Sequence, residues 1–183
     1  MKYDLGGTFD HDDYISVNLA GNPHVKLNIL DLDSLCEDNT VDEFYMRHTY
    51  EHLDPSAVPE FLKKIQLKLK ENGTLRILHT DCKKVLKLYK SNKIDFKSLR
   101  DVIFGSVDRR IVAQLDAGFD ILGHKYMWGE DELKEELTFY GFSKAETYDA
   151  GFWSFDTSNY FPTDNMEKYH GLKIPNLGVI AYK

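Results

Sequence analysis

Short apolar runs alternate with stretches of helical periodicity along almost the whole chain, and that alternation is the mark of a largely parallel sheet covered by helices. Residues Lys2 to Leu5 read as a first strand, with Gly6-Gly7 as its turn. Tyr14 to Leu19 and Val25 to Leu30, rich in β-branched and apolar residues and divided by Gly21-Asn22-Pro23, read as strands two and three. Val41 to His48 alternates toward a fourth strand. Asp54-Pro55-Ser56 then opens a helix whose apolar positions Val58, Phe61, Leu62, Ile65 and Leu69 recur at helical spacing. Its expected stop is Asn72-Gly73, with Gly73 left-handed just past the helix end and Thr74 to Leu78 following as a fifth strand. Lys83 to Tyr89 reads as helix, Glu130 to Tyr140 as an acidic-started amphipathic helix closed by Gly141, and Lys144 to Tyr148 and Leu177 to Tyr182 as the last two strands. The stretch 91–129, interrupted by Gly105, Gly118 and Gly123, is expected as an excursion or lid over the sheet edge.

At 183 residues the chain suits one domain, 1–183, with a core that needs neither disulfides nor a structural metal. A composition 42% hydrophobic and 29% charged excludes disorder, and no apolar run is long enough to span a bilayer. The net charge of −7 argues against a phosphate backbone as partner, because nucleic-acid binding needs a basic face. A small-molecule substrate is the better expectation. Cys36 and Cys82, without CxxC spacing, are expected to be reduced and structural. The amino terminus has neither the basic flank nor the apolar run of a signal peptide, so a cytoplasmic location is expected.

In a doubly wound sheet the ligand lies outside the carboxyl ends of the strands, so the residues just after each strand are the informative ones. After strand one, Gly6 and Gly7 allow a tight turn and a close backbone approach, although a plain turn uses the same pair. Strand two ends at Asn18, where nucleoside-binding domains commonly place an acid for the ribose hydroxyls. Asp31 follows strand three and could receive an adenine amino group, with the next backbone amide on a ring nitrogen; taken alone, Asp31 and Asp33 read rather as solvated loop acids. After strand four, Arg47-His48-Thr49-Tyr50-Glu51-His52-Leu53 sets two histidines four apart with a carboxylate between them, which concentrates proton-transfer capacity at one strand end. HTYEH is not HExxH, so no metal is assigned, and such histidines also serve as packing residues. Strand five ends at His79-Thr80-Asp81, beside the fourth. His124-Lys125-Tyr126-Met127-Trp128 gathers aromatic and cationic groups suited either to contacting a substrate or to closing the core.

These motifs together resemble the small class I S-adenosylmethionine-dependent methyltransferases, over nearly the whole chain. Gly6-Gly7-Thr8 stands at the family's glycine-rich turn, and Tyr14-Ile15-Ser16-Val17-Asn18 at its second strand. Asp31-Leu32 stands at its aspartate-leucine pair, Val41 to Leu53 at the segment ending EHL, and Leu69 to Asp81 at the strand carrying NGTLRI. The EHL and NGTLRI matches are the specific ones. Phe104-Gly105, His124 and Tyr140-Gly141-Phe142 fall in the family's later region. The resemblance implies an α/β, Rossmann-like sheet, mostly parallel with an antiparallel C-terminal strand and helices on both faces. It implies S-adenosylmethionine as cofactor, with Gly6, Gly7 and Thr8 on the methionine part, Asn18 on the ribose, Asp31 with Leu32 on the adenine, and His48 on the sulfonium side. Two departures stand out: the family's G-x-G is Gly-Gly-Thr here, and Asn18 replaces an acid.

The implied reaction is methyl transfer to a small polar acceptor such as a sugar hydroxyl. His48 or His52 would be the base, Asp81 would orient it, and His79, His124, Tyr126 and Trp128 would meet the acceptor. Two other readings compete: a degenerate domain of the same fold that binds a nucleoside or protein without catalysis, and metal-dependent hydrolysis using His48, His52, His79 and Asp81. One geometric tension precedes any structure. Fewer residues separate Gly7 from Tyr14 than the dozen or so a parallel crossover normally takes, so either an extended loop joins the two strands or the first strand is reduced.

Overall fold

The computed structural model describes residues 1–7, 13–19, 21–104, 123–154 and 173–183. Five parallel strands lead the sheet: β1 (Lys2–Leu5), β2 (Ile15–Asn18), β3 (Val25–Lys26), β4 (Val41–Arg47) and β5 (Leu69–Thr80). They are completed by β6 (Lys144–Tyr148), β7 (Phe152–Ser154) and β8 (Lys173–Tyr182). The order is β3-β2-β1-β4-β5-β8-β6, with β7 pairing β8 off that path, and β8 runs antiparallel to both β5 and β6. The expected mostly parallel sheet with a reversed C-terminal strand is present.

The tension at the first crossover is resolved in favour of parallel neighbours: Tyr3 pairs with Ile15 and Leu5 with Val17. Length explains it. A four-residue strand is only about 13 Å long, and a link of residues 6–14 reaches about 30 Å when extended, so no helix is needed to return the chain.

Strand register lines up the core. Tyr3 faces Phe44, Phe44 faces Leu75 and Leu75 faces Ala181, while Met46, Ile77 and Val179 form the next row. These side chains share one cluster with Phe61, Leu62 and Ile65 of α2 (Val58–Lys68) and Leu133 and Leu137 of the acidic helix, here α5 (Glu130–Phe139). The stripes read from the sequence are therefore the buried ones. A short α1 (Leu32–Leu35) puts the fully buried Leu32 into the same cluster. A second cluster of Val85, Ile94, Leu99, Val102 and Ile174 ties α3 (Cys82–Lys90) and α4 (Phe96–Phe104) to the start of β8. By strand alternation Ile174 lies on the opposite side from Leu177, Val179 and Ala181, so helices serve both faces.

Farther along that opposite face lies a polar and aromatic patch. Thr74 Oγ1 and Arg76 Nη2 donate to Glu43 Oε2 at 3.0 and 3.1 Å, and the Tyr14 hydroxyl donates to the other carboxylate oxygen. The Arg76 guanidinium lies 5.4 Å over the Tyr148 ring and 6.0 Å from the centre of Tyr45.

Two local expectations are corrected. Helix α2 ends at Lys68 rather than at Asn72-Gly73, because Leu69 is already extended and pairs with Val41. Asn72, at φ 64°, takes the left-handed conformation expected of Gly73, at an irregularity where the register jumps from Val41↔Leu69 to Glu43↔Thr74. The third strand is two residues long, not six, since the chain turns through Asn28 and Asp31 into α1. Of the excursion expected at 91–129, residues 91–104, including α4, and 123–129 are described, and 105–122 lie outside the described residues.

Candidate active site

The carboxyl ends of β2, β1 and β4 stand side by side, and the polar residues the sequence singled out follow them. Gly6 turns with φ 91°, and its amide donates to Val17 O at 2.8 Å. A side chain there is excluded twice, by the left-handed backbone and by Thr49, whose Oγ1 lies 2.2 Å from where a Cβ would sit. Asn18 Nδ2 donates to Gly6 O at 2.7 Å, so the amide braces the glycine turn from the neighbouring strand. Asp31 is exposed at the head of α1 and Leu32 is buried behind it. Thr8 lies outside the described residues.

Strand β4 ends in a second left-handed residue, His48 at φ 50°, whose amide donates to Leu78 O at 2.7 Å. The chain then coils into a single 3₁₀ turn, Tyr50–His52, which turns Glu51 inward and leaves His48 partly open, its side chain 34% exposed. His48 Nδ1 lies 3.4 Å from Glu51 Oε1. Glu51 is fully buried, and burial alone would push its carboxyl up; His48 and His79 beside it prevail and hold it below the usual carboxylate range.

Residues 123–126 cross over this turn. Lys125 N donates to Glu51 O at 2.7 Å, which pins the two segments together. A carbonyl can only accept, so His52 Nδ1 donates to Gly123 O at 3.3 Å and His124 Nδ1 donates to Ile103 O at 2.8 Å. The two imidazoles meet edge to face, 4.9 Å between centres. Burial, reinforced by His124, holds His52 below the ordinary imidazole range.

Three expected site residues belong elsewhere. His79 is fully buried: its Nδ1 donates to Thr80 O at 2.8 Å and its ring meets Trp128 edge-on, so it cannot face a substrate. Trp128, 3% exposed, closes the core against Tyr50 at 4.6 Å. Asp81 caps α3, accepting from Lys84 N at 2.9 Å and pairing with Lys84 Nζ at 3.0 Å, which commits it to the helix end rather than to orienting a base. Tyr126 remains accessible, 41% exposed, with its hydroxyl donating to Glu132. Glu51 is the residue sequence reasoning passed over: it was visible as the carboxylate between two histidines, but its burial depends on the 3₁₀ turn, which no periodicity announces.

No protein-family model matches the chain, and no curated protein matches it in sequence. Solved structures do match in fold. A SAM-dependent methyltransferase from Archaeoglobus fulgidus aligns at 18% identity and TM-score 0.58 over 100% of this chain and 85% of that one. A SAM-dependent methyltransferase from Methanosarcina mazei aligns at 16% and 0.56, over 100% and 91%. The chain has the class I methyltransferase fold. A third structure with this fold, the 1,6-didemethyltoxoflavin-N1-methyltransferase of Burkholderia thailandensis, holds 1,6-didemethyltoxoflavin and S-adenosylhomocysteine; it aligns at 15% and 0.55, over 100% and 70%. In this class I methyltransferase fold the row Asn18, Gly6, His48 occupies the sheet edge where open α/β sheets take their ligands. A cleft of about 390 Å³ lies away from that row, by β6 and the first half of β8, lined by Tyr148, Asp149, Gly151 and Asn176.

Proposed function

We propose that this chain is an S-adenosylmethionine-dependent methyltransferase acting on a small polar molecule, a sugar hydroxyl being the favoured class. One observation carries the reading. The ends of neighbouring parallel strands present, in order along one edge, an exposed carboxylate after β3 (Asp31), an amide after β2 (Asn18), a turn bare of side chains after β1 (Gly6-Gly7) and a half-open imidazole after β4 (His48). That series suits, in the same order, adenine, ribose, the methionine chain and the reacting centre.

The donor set fits the group. Asp31 would accept the adenine amino group, with the Leu32 amide on a ring nitrogen; Asn18 would offer its carbonyl oxygen to a ribose hydroxyl; and the turn at Gly6 and Gly7 would let the methionine part come against backbone. When bound, the cofactor supplies a methyl group already activated for transfer, so the protein's work is alignment and removal of one proton. His48 is suited to take that proton, because the Glu51 carboxylate 3.4 Å from its Nδ1 steadies the charge it gains. His52, buried and held by Gly123, is the poorer base. His124 and Tyr126 would meet the acceptor.

Isothermal titration with S-adenosylhomocysteine tests the cofactor reading. Binding is expected, weakened about 10-fold or more in Asp31→Ala, the loss of one charged hydrogen bond; no heat at millimolar ligand would sink it. A non-catalytic nucleoside- or protein-binding module is the second reading, favoured by Thr49 packed on Gly6 and by the commitment of Asn18 Nδ2 to the turn. It gains if adenosine binds as tightly as S-adenosylhomocysteine, since the methionine part then contributes nothing.

A further inference from the structure

We propose that Glu51, His52 and His124 form a binding site for one divalent transition-metal cation, zinc(II) being the best match to two imidazoles and a carboxylate. One ligand atom from each of the three lies within 4.8 Å of the others. Tetrahedral zinc with bonds of about 2.0–2.1 Å sets its ligand atoms about 3.3 Å apart, so the three atoms draw together by up to about 1.5 Å on binding.

Three features mark the cluster as built rather than incidental. First, each imidazole has its Nδ1 occupied as a donor to a backbone carbonyl, Gly123 O for His52 and Ile103 O for His124. That arrangement fixes the tautomer and leaves Nε2 as the lone-pair nitrogen, which is the way metal-ligating histidines are oriented by their surroundings. Second, Glu51 is fully buried, and the close side-chain group on its carboxylate is the His48 imidazole, 3.4 Å from Oε1. Burying a carboxylate is costly, and a divalent cation offers it positive charge directly. Third, the two ligand-bearing segments are joined without the cation, through Lys125 N to Glu51 O at 2.7 Å and Tyr126 N to the same oxygen at 3.4 Å. Little order is lost on binding.

Three protein ligands leave positions open to water or to an oxygen of a second molecule, beside the half-open His48. The proposal does not rest on the cofactor reading, since Gly6, Asn18 and Asp31 take no part in it.

The test is titration of the chelator-stripped chain with zinc(II), followed by calorimetry, and with cobalt(II), followed by visible absorption. Expected are one equivalent bound at micromolar concentration or below and the intense bands of low-coordinate, imidazole-bound cobalt(II). In Glu51→Gln and His124→Asn the zinc affinity should fall by at least the roughly 10–100-fold that losing a second-shell partner costs, while His24→Gln, at a histidine hydrogen-bonded to Ser16 on the other side of the sheet order, should bind unchanged. Equal affinity in all variants, loss in His24→Gln, or no binding at millimolar zinc overturns the site. Should a buried variant fail to fold, the cobalt(II) spectrum of the unaltered chain decides: the spectrum of the hydrated ion refutes the proposal. S-adenosylhomocysteine binding, measured separately, reports on the cofactor reading alone.

Discussion

The backbone at Gly6 does what no other residue could do there. A methyl group would meet both the left-handed φ of 91° and the Thr49 side chain, whose Oγ1 would lie 2.2 Å away. Gly6→Ala should therefore cost about 1–3 kcal/mol in urea unfolding, the scale of a strained backbone position. Gly6→Ala combined with Thr49→Gly should recover only part of that loss, because the contact goes and the backbone strain stays; full recovery would show that φ carries none of the cost. At this scale the sequence was a partial guide. Gly6, Asn18 and His48 could be named because glycine, amide and imidazole are readable residue types at strand ends. His79 and Trp128 could not be set apart from the accessible candidates, since the same side chains that hold a substrate also close a core, and only burial separates the two roles.

Among the elements, α1 and α2 are joined by a charged clasp. Lys68 Nζ, almost fully buried, contacts Asp33 at 2.9 Å and Asp38 at 2.8 Å, and Lys64 reaches Asp33 at 2.9 Å. The hydrogen bonds from Lys68 and Lys64 lower the Asp33 carboxyl from its ordinary 3.8 to about 2. A folded pKa below the unfolded one means that the contribution of Asp33 is fully present above the ordinary carboxylate range and is lost as pH falls through about 2. The Tm gap between the natural chain and Asp33→Asn should thus be widest above pH about 5, close on approach to pH about 2, and narrow in high salt, because Asp33 is exposed. A gap that widens on acidification would contradict the clasp. Elements long enough to show a period, α2, α5, β4 and the last strand, were legible. The early end of β3, the four-residue α1 and the left-handed Asn72 were not, because a turn's worth of chain holds no period to read.

For the molecule as a whole, β8 is the strand on which the far half of the sheet depends. It pairs with β5 on one side and with β6 and β7 on the other, and it sets Leu177, Val179 and Ala181 into the main cluster and Ile174 into the second. A chain lacking 173–183 leaves β6 without its ladder and β5 with an open edge, so it should lose its cooperative thermal transition and aggregate. A sharp calorimetric peak from that truncation would show that the remaining strands suffice. The class of the sheet was legible from alternation alone, whereas the meeting of His52 with His124 was not, since it depends on a crossing that brings residue 123 onto the turn of β4. The sheet also separates two groups of aromatic rings. The Trp128 indole lies with the histidine cluster on the main-core side, ring to ring with Tyr50 and Tyr126, while Tyr45 and Tyr148 flank Arg76 on the other. With Trp153 replaced by phenylalanine, indole emission comes from Trp128 alone and watches the main-core side of the sheet, giving an unlabelled optical readout of a ligand bound there.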